Sequence, residues 1–415
     1  MKIKSYHYWI TFTLLFVAYI SLMPRTGHGW DFWCWREWAK NDFTNGLQHA
    51  YWPSEMFTTD YLPLWHYFLY AFAWFQGSVE RVDENIHWLK IIPLIFEFIG
   101  GLVLIKLLRK RYSDENDVFF YSLLLFLNIG YFYNSLMWGQ VDGILTTLVL
   151  LSLYYAIKER VLLSLIFIFL ALSFKFQAII FIPLVGLLLL PGFVNKFSWK
   201  NLAAWVLIPL GMIALIVLPF ALAGDLNRIW ELTINYSNRY PTVSMNAYNM
   251  WYWFIRGDLT KVPDDGLFAG LTLKKWGLIL FFILSFAALF PLLRNILNKV
   301  IRKSTVEINT AKIFLTAALI PLVFFFFNTE MHERYSHPAI ILVAIYSILT
   351  GRYVPYILVT VAYLLNMEAV LKYLKIHNYG TVLFAPQFVA AIYLIAIVLL
   401  FYDLYKKKYT YQIQG

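Results

Sequence analysis

The chain reads as a succession of continuous apolar runs separated by short polar clusters. Runs lie near 8–24, 89–108, 117–134, 138–157, 161–174, 176–191, 201–223, 273–293, 311–328, 337–350, 353–371 and 384–405. Each is long enough, or nearly so, to cross a bilayer as a helix, which takes about 20 residues. The runs do not alternate apolar with polar positions, so a transmembrane β-barrel is not expected. The pattern predicts an all-α polytopic membrane protein with about 12–13 transmembrane helices. The stretch "YLPLWHYFLYAFAWFQ" (61–76) is apolar but short. It is expected to be a partial or re-entrant helix. The pair 161–174 and 176–191 is tight, with Lys175 at the turn between them.

Basic residues orient the runs. "MKIK", "KLLRKR" (106–111), Lys158 and Arg160, Lys196 and Lys200, "RNILNKVIRK" (294–303), Arg352 and "KKK" (406–408) all fall on one side. Positive loops mark the cytoplasm, so both termini are expected there. The loops 25–61, 134–138, 224–272, 328–336 and 372–383 then face outward. The first, 25–61, is amphipathic and rich in Trp, as an interfacial helix is. The other long one carries "NRYPTVSMNAYNMWYWFIRGD" (238–258), polar and aromatic together. There is no internal repeat, low-complexity tract or soluble domain in this reading.

Composition agrees with the pattern. The 415 residues are 60% hydrophobic and 14% charged, with mean hydropathy +0.62. Soluble domains carry about 25% charged residues. The net charge of +10 is read as inner-loop marking, with a further contribution toward phosphate-bearing lipid, and not as a nucleic-acid surface. Cys34 is the one cysteine, so no intramolecular disulfide is available. "SLMPRTGHG" after the first run lacks a small-x-small cleavage site, so residues 8–24 are expected to stay as an anchor.

Charges at membrane depth are costly and default to functional candidates. Asp31, with Arg36, Glu37 and Asp42, sits just past the first run. It reads either as solvated surface or as site. Asp60 in "TDYLPLW" either caps the helix entered by Pro63 or serves a site. "MWGQVDG" (137–143) puts Trp138, Gln140 and Asp142 at the outer mouth of a hairpin. Side-chain amides and carboxylates there suit hydroxyl recognition, although Asp142 also suits a cap. "NTEMHERYSHP" (328–338) packs Glu330, His332, Glu333, Arg334 and His337 together. An Arg fork beside a His suits a phosphate. The i, i+5 His spacing is not that of a "HExxH" zinc site. Lys175, among hydrocarbon, needs an anion: a carboxylate such as Glu97, or a lipid phosphate. P-loop, GxGxxG, CxxC and GxSxG motifs are absent from the sequence, so nucleotide-driven transport is not expected.

At these residues the chain resembles the GT-C superfamily of integral membrane glycosyltransferases. It looks most like bacterial relatives of GPI mannosyltransferases, and more distantly like the dolichyl-phosphate-glucose-dependent glucosyltransferases. "DFWCWREW" carries Asp31, Arg36 and Trp38. "DYLPL" carries Asp60 and Pro63, with Leu62 where the family has Pro. "WGQVD" carries Trp138, Gly139, Gln140 and Asp142. "KFQ" carries Lys175 and Gln177, ahead of Pro183. "HERY" carries His332, Glu333, Arg334 and Tyr335. The five elements keep the family order over residues 31–335.

The resemblance implies a single transmembrane domain over 1–415. Residues 1–191 would form the GT-C-like core with outer loop 25–61, and 192–415 the more variable helices with outer loop 224–272. It implies an inverting hexosyltransferase that takes mannose or glucose from a polyprenyl-phosphate-sugar at the extracytoplasmic face. The acceptor would be a glycan, glycolipid or protein. Asp31 is the implied base. Arg334, His332 and Lys175 are implied at the donor phosphate. Asp60, Gln140, Asp142, Trp138, Glu333, Arg36 and Gln177 are implied around sugar and acceptor. Membrane lipid is a partner and nucleic acid is not; no cofactor or metal ion is expected. The implied location is a bacterial inner membrane. The alternative is a carrier or flippase for lipid-linked sugars, for which inverted or parallel repeats would be the sign.

Overall fold

The computed structural model describes residues 3–52, 59–235, 239–302 and 308–406. Residues 1–2, Lys303 and Lys407–Lys408 of the charge argument, 53–58 of the first outer loop and 236–238 of the second lie outside the described residues.

The protein is an all-α polytopic membrane protein. Among the described residues, seven helices are long and apolar enough to cross a bilayer: Val79–Leu108, Phe176–Asn195, Trp199–Leu222, Leu273–Ile301, Thr310–Phe327, Val354–Leu371 and Pro386–Tyr405. Glu115–Phe126 and Ile129–Trp138, bent by 43° at their junction, make an eighth if counted as one span. The expectation of twelve or thirteen counted more full-length spans than these. The other apolar runs form shorter helices: Asp142–Ile157, Val161–Phe174 and His337–Thr350. The first run forms Ser5–Leu22, diluted at its start by Ser5, Tyr6 and His7. Residues 61–76 give the 14-residue helix Pro63–Gln76, too short for a full crossing.

The chain forms two interleaved compact units. One comprises Met1–Leu22, Glu97–Asn134 and Asn238–Gly415; the other comprises Met23–Phe96 and Ser135–Ser237. Each draws on both sides of residue 191.

The first unit is built around His337–Thr350, whose residues from His337 to Leu349 are all buried. A helix apolar on every side is a core helix, and shortness is no handicap where protein covers both ends. Thr310–Phe327 packs along it. Asn128 makes the bend before Ile129. Its side chain accepts from Tyr131 N–H (3.0 Å) and donates to the Tyr356 hydroxyl (2.6 Å). Leu273–Ile301 leaves most of its apolar surface uncovered, the face suited to lipid.

The second unit repeats this logic. Asp142–Ile157 is buried almost throughout and packs against Val161–Phe174, where Ser152 donates to the Ser164 carbonyl at 2.9 Å. Trp199–Leu222 is its mostly uncovered helix. The polar-aromatic segment after the first run becomes the helix Gly29–Asn45, packed on Pro63–Gln76. Its Trp35 and Trp38 point inward while Trp30 is exposed.

Candidate active site

The second unit holds the Asp31 cluster. The loop entering Gly29–Asn45 is fastened from behind by Lys90. Its buried ammonium donates to the carbonyls of Pro24 (3.0 Å), Thr26 (2.6 Å) and Leu136 (2.6 Å). This draws residues 24–28 onto the segment leading to Trp138, and His28 N–H donates to the Trp138 carbonyl at 2.8 Å. The approach is tight enough to require glycine on both sides. A Cβ on Gly27 would stand 2.5 Å from the Trp138 carbonyl oxygen. Gly139 has φ +88°, and a Cβ there would meet the Phe32 ring at 2.1 Å.

Asp31 lies in the first turn of its helix, where exposed N–H groups favour an anion. The Trp138 indole N–H donates to Asp31 Oδ2 at 2.6 Å. The His28 ring stacks on Trp138, centroids 4.6 Å apart and planes at 13°. Its Nδ1 stands 3.2 Å from the same Oδ2. The Asp31 side chain is 14% exposed and that of His28 33%, so the carboxylate is held yet reachable. Trp138 itself is buried. Its indole grips the acid instead of offering a face to a sugar.

Around this pair, the Trp35 indole donates to the Gly139 carbonyl at 3.2 Å. The Tyr61 hydroxyl donates to Gln140 Oε1 at 3.1 Å, and its ring lies edge-on to Trp35. Asp60 precedes Tyr61 in a strap held at two points. Tyr51 donates to the Tyr61 carbonyl at 2.7 Å, and Thr59 Oγ1 lies 2.7 Å from His66 Nε2. His66 Nδ1 in turn is 2.9 Å from Asp42 Oδ2, both side chains fully buried. Burial pushes the Asp42 carboxyl up, and the charge of His66 opposes that rise. The helix after this strap is capped by Leu62 with Pro63 at its start. The N-cap reading of Asp60 is therefore corrected.

Lys175 ends Val161–Phe174, and its ammonium meets Asp142 Oδ1 at 2.5 Å, both buried. The anion that Lys175 needed is thus Asp142, in place of the suggested Glu97. Asp142 is the first residue of its helix, with Val141 at the N-cap. Gln177 is buried in the turn that follows Lys175. Arg36 faces away from this set toward Asp83, at 3.3 Å.

The first unit holds the His332–Arg334 turn. Arg334 donates to Glu333 Oε1 at 2.7 Å and lies 3.5 Å from His332 Nδ1. The turn is braced by the second long loop. Met245 N–H donates to the Met331 carbonyl at 2.9 Å, and the Tyr240 ring stands edge-on to His332. Glu330, with φ +63°, meets Lys274 at 2.5 Å. Burial outweighs that cation and pushes the Glu330 carboxyl up to about 7. Thr329 donates to Asp264 at 2.8 Å. His337, fully buried, stacks on Tyr131 and stands 3.7 Å from Glu97, which identifies a neighbour for that intramembrane acid.

The structure thus brings Asp31 to Trp138, Gln140 to the Asp60–Tyr61 strap, Asp142 to Lys175, and His332 to Glu333 and Arg334. Sequence reasoning missed His28, Lys90, His66 and Tyr61. Lys90 carried a usable signal, a lone cation opening an apolar run. His28 carried none.

One curated protein similar to this chain is GPI mannosyltransferase 1 of Candida albicans (strain SC5314 / ATCC MYA-2876), 30% identical over 142 residues. The match takes in 31% of this chain and 35% of that protein, so it spans about a third of the relative's length. No protein-family model matches. The likeness supports a relationship to glycosyltransferases for this multi-pass membrane protein.

Proposed function

We propose that the protein is an inverting, polyprenyl-phosphate-sugar-dependent hexosyltransferase of the GT-C type, with Asp31 as its general base. The observation that carries this reading is the Asp31 carboxylate. It sits at a helix N-terminus, is gripped by an indole N–H, and keeps limited access to solvent. The likeness to a mannosyltransferase is consistent with it.

The donor chemistry explains why one acid suffices. Glycosidases typically need an acid–base pair. A sugar phosphate leaves as an anion that needs no protonation. Asp31 would take the acceptor hydroxyl proton as that oxygen attacks the anomeric carbon, and the C–O bond to phosphate breaks with its electron pair leaving on the phosphate. Such help is worth about 10²–10⁴-fold in rate. A single displacement inverts the anomeric centre. Asp60 and Gln140, with Tyr61 between them, are proposed for sugar or acceptor hydroxyls. Arg334 and His332 are proposed to serve the donor phosphate. Lys175 serves Asp142. We propose the outer face of a bacterial inner membrane as the location of the reaction, with both termini cytoplasmic.

The test is transfer by the purified protein in nanodiscs from polyprenyl-phosphate-linked mannose or glucose. Free polyprenyl phosphate accompanying glycosylated acceptor supports the reading. Donor movement across the bilayer without that release favours the carrier alternative. Arg334→Ala should raise the donor KM; unchanged donor kinetics remove Arg334 from the phosphate role.

A further inference from the structure

The geometry points to His28 as the residue that positions Asp31 for proton abstraction. This inference rests on the proposed reaction. His28 makes two separable contributions. Its ring covers one face of Trp138, with planes at 13°. Its Nδ1 reaches within 3.2 Å of Asp31 Oδ2, the oxygen that already accepts from the Trp138 indole at 2.6 Å. The indole N–H is hydrogen-bonded to that oxygen, while the His28 nitrogen is buried against it at ion-pair distance without a hydrogen bond of its own. The indole bond holds the carboxylate, and the nitrogen packed beside it limits how far it can turn, which sets the direction of its second oxygen.

The arrangement is built, not incidental. His28 is the N-cap residue of Gly29–Asn45, yet its side chain makes no capping bond to that helix. A cap at this position ordinarily accepts from an N–H of the first turn. Here the side chain turns across to Trp138 and Asp31 instead. The backbone is committed to the same geometry, since His28 N–H is bonded to the Trp138 carbonyl. Lys90 holds the preceding carbonyls. The imidazole is one-third exposed beside the acid.

A base displaced by about 1 Å loses on the order of 10²-fold, so the polar contact and the stack have different kinetic signatures. His28→Phe keeps the ring on Trp138 and removes Nδ1. His28→Asn removes the ring and puts an amide near the place of Nδ1. We expect His28→Phe to lower kcat by about 10–100-fold with KM for both substrates unchanged. We expect His28→Asn to stay within about 3-fold of the wild-type kcat on the same reasoning.

Wild-type kcat in His28→Phe overturns the inference. So does equal loss in both variants with raised KM, the mark of a structural role. Melting temperatures report folding, and His28→Tyr carries the same test if His28→Phe melts early. Asp31→Asn is run beside them. If it is inert while His28→Phe is fully active, only the role of His28 falls. If it transfers sugar, the assignment of the base falls first.

Discussion

Breaking the Lys175–Asp142 pair separates a structural cation from a ligand for the donor phosphate. At 2.5 Å and an effective dielectric of about 20, the gross attraction is roughly 7 kcal/mol. Desolvation takes back several kcal/mol per ion, so the intact pair is worth little on balance. Removing one partner strands the other charge, at about 3–5 kcal/mol. Lys175→Met and Asp142→Asn should each lower the melting temperature in detergent, by roughly 6–20 °C if about 2–4 °C accompanies each kcal/mol. The double variant should recover most of that loss, because no buried charge is left without its counter-ion. Each protein is then assayed for its donor KM. A positioning pair predicts that the double variant recovers stability with donor KM near wild type. If stability returns while donor KM stays raised about 10-fold or more, Lys175 also meets the phosphate and its purely structural role is wrong.

Two further outcomes follow from the geometry. Glu330 is raised by burial to about 7, so the folded state holds a proton that the unfolded state releases near 4.5. Its contribution to stability is complete below about pH 4.5 and is lost as pH rises through about 7. Thermal unfolding between pH 5 and 8 should show this slope, and Glu330→Gln should flatten it; an unchanged slope assigns the effect elsewhere. Gly139→Ala combines φ +88° with a Cβ 2.1 Å from the Phe32 ring, and should cost about 1–3 kcal/mol or more. Pairing it with Phe32→Leu should return part of the loss, and no return would mean that backbone strain alone is responsible.

How much was legible in the sequence varied with distance along the chain. The apolar runs gave the helices because burial in lipid or protein imposes that pattern locally. They did not separate lipid-facing helices from central ones: Asp142–Ile157 and His337–Thr350 look like lipid-exposed helices by composition, and only their burial on all sides reveals central helices. Asp31 and Trp138 were both legible as candidates, but their contact joins residues 107 positions apart and depends on Lys90 gathering three carbonyls. Lys175 announced that it needed an anion, and the choice of Asp142 was set by tertiary packing. Asp60 looked like a cap because it precedes Pro63. That proline begins the helix with Leu62 as its neighbour, leaving Asp60 in the strap. His28 was invisible, since its position takes its meaning from glycines at 27 and 139 that let the two backbones close.

The central claim is most directly tested by Asp31→Asn, which preserves shape and the Trp138 contact but removes the proton-accepting charge. Purified wild type and variant are compared for sugar transfer from the polyprenyl-phosphate donor, with thermal melts alongside. Transfer reduced by about 10²-fold or more at an unchanged melting temperature is the predicted result. Transfer at the wild-type rate would contradict the account.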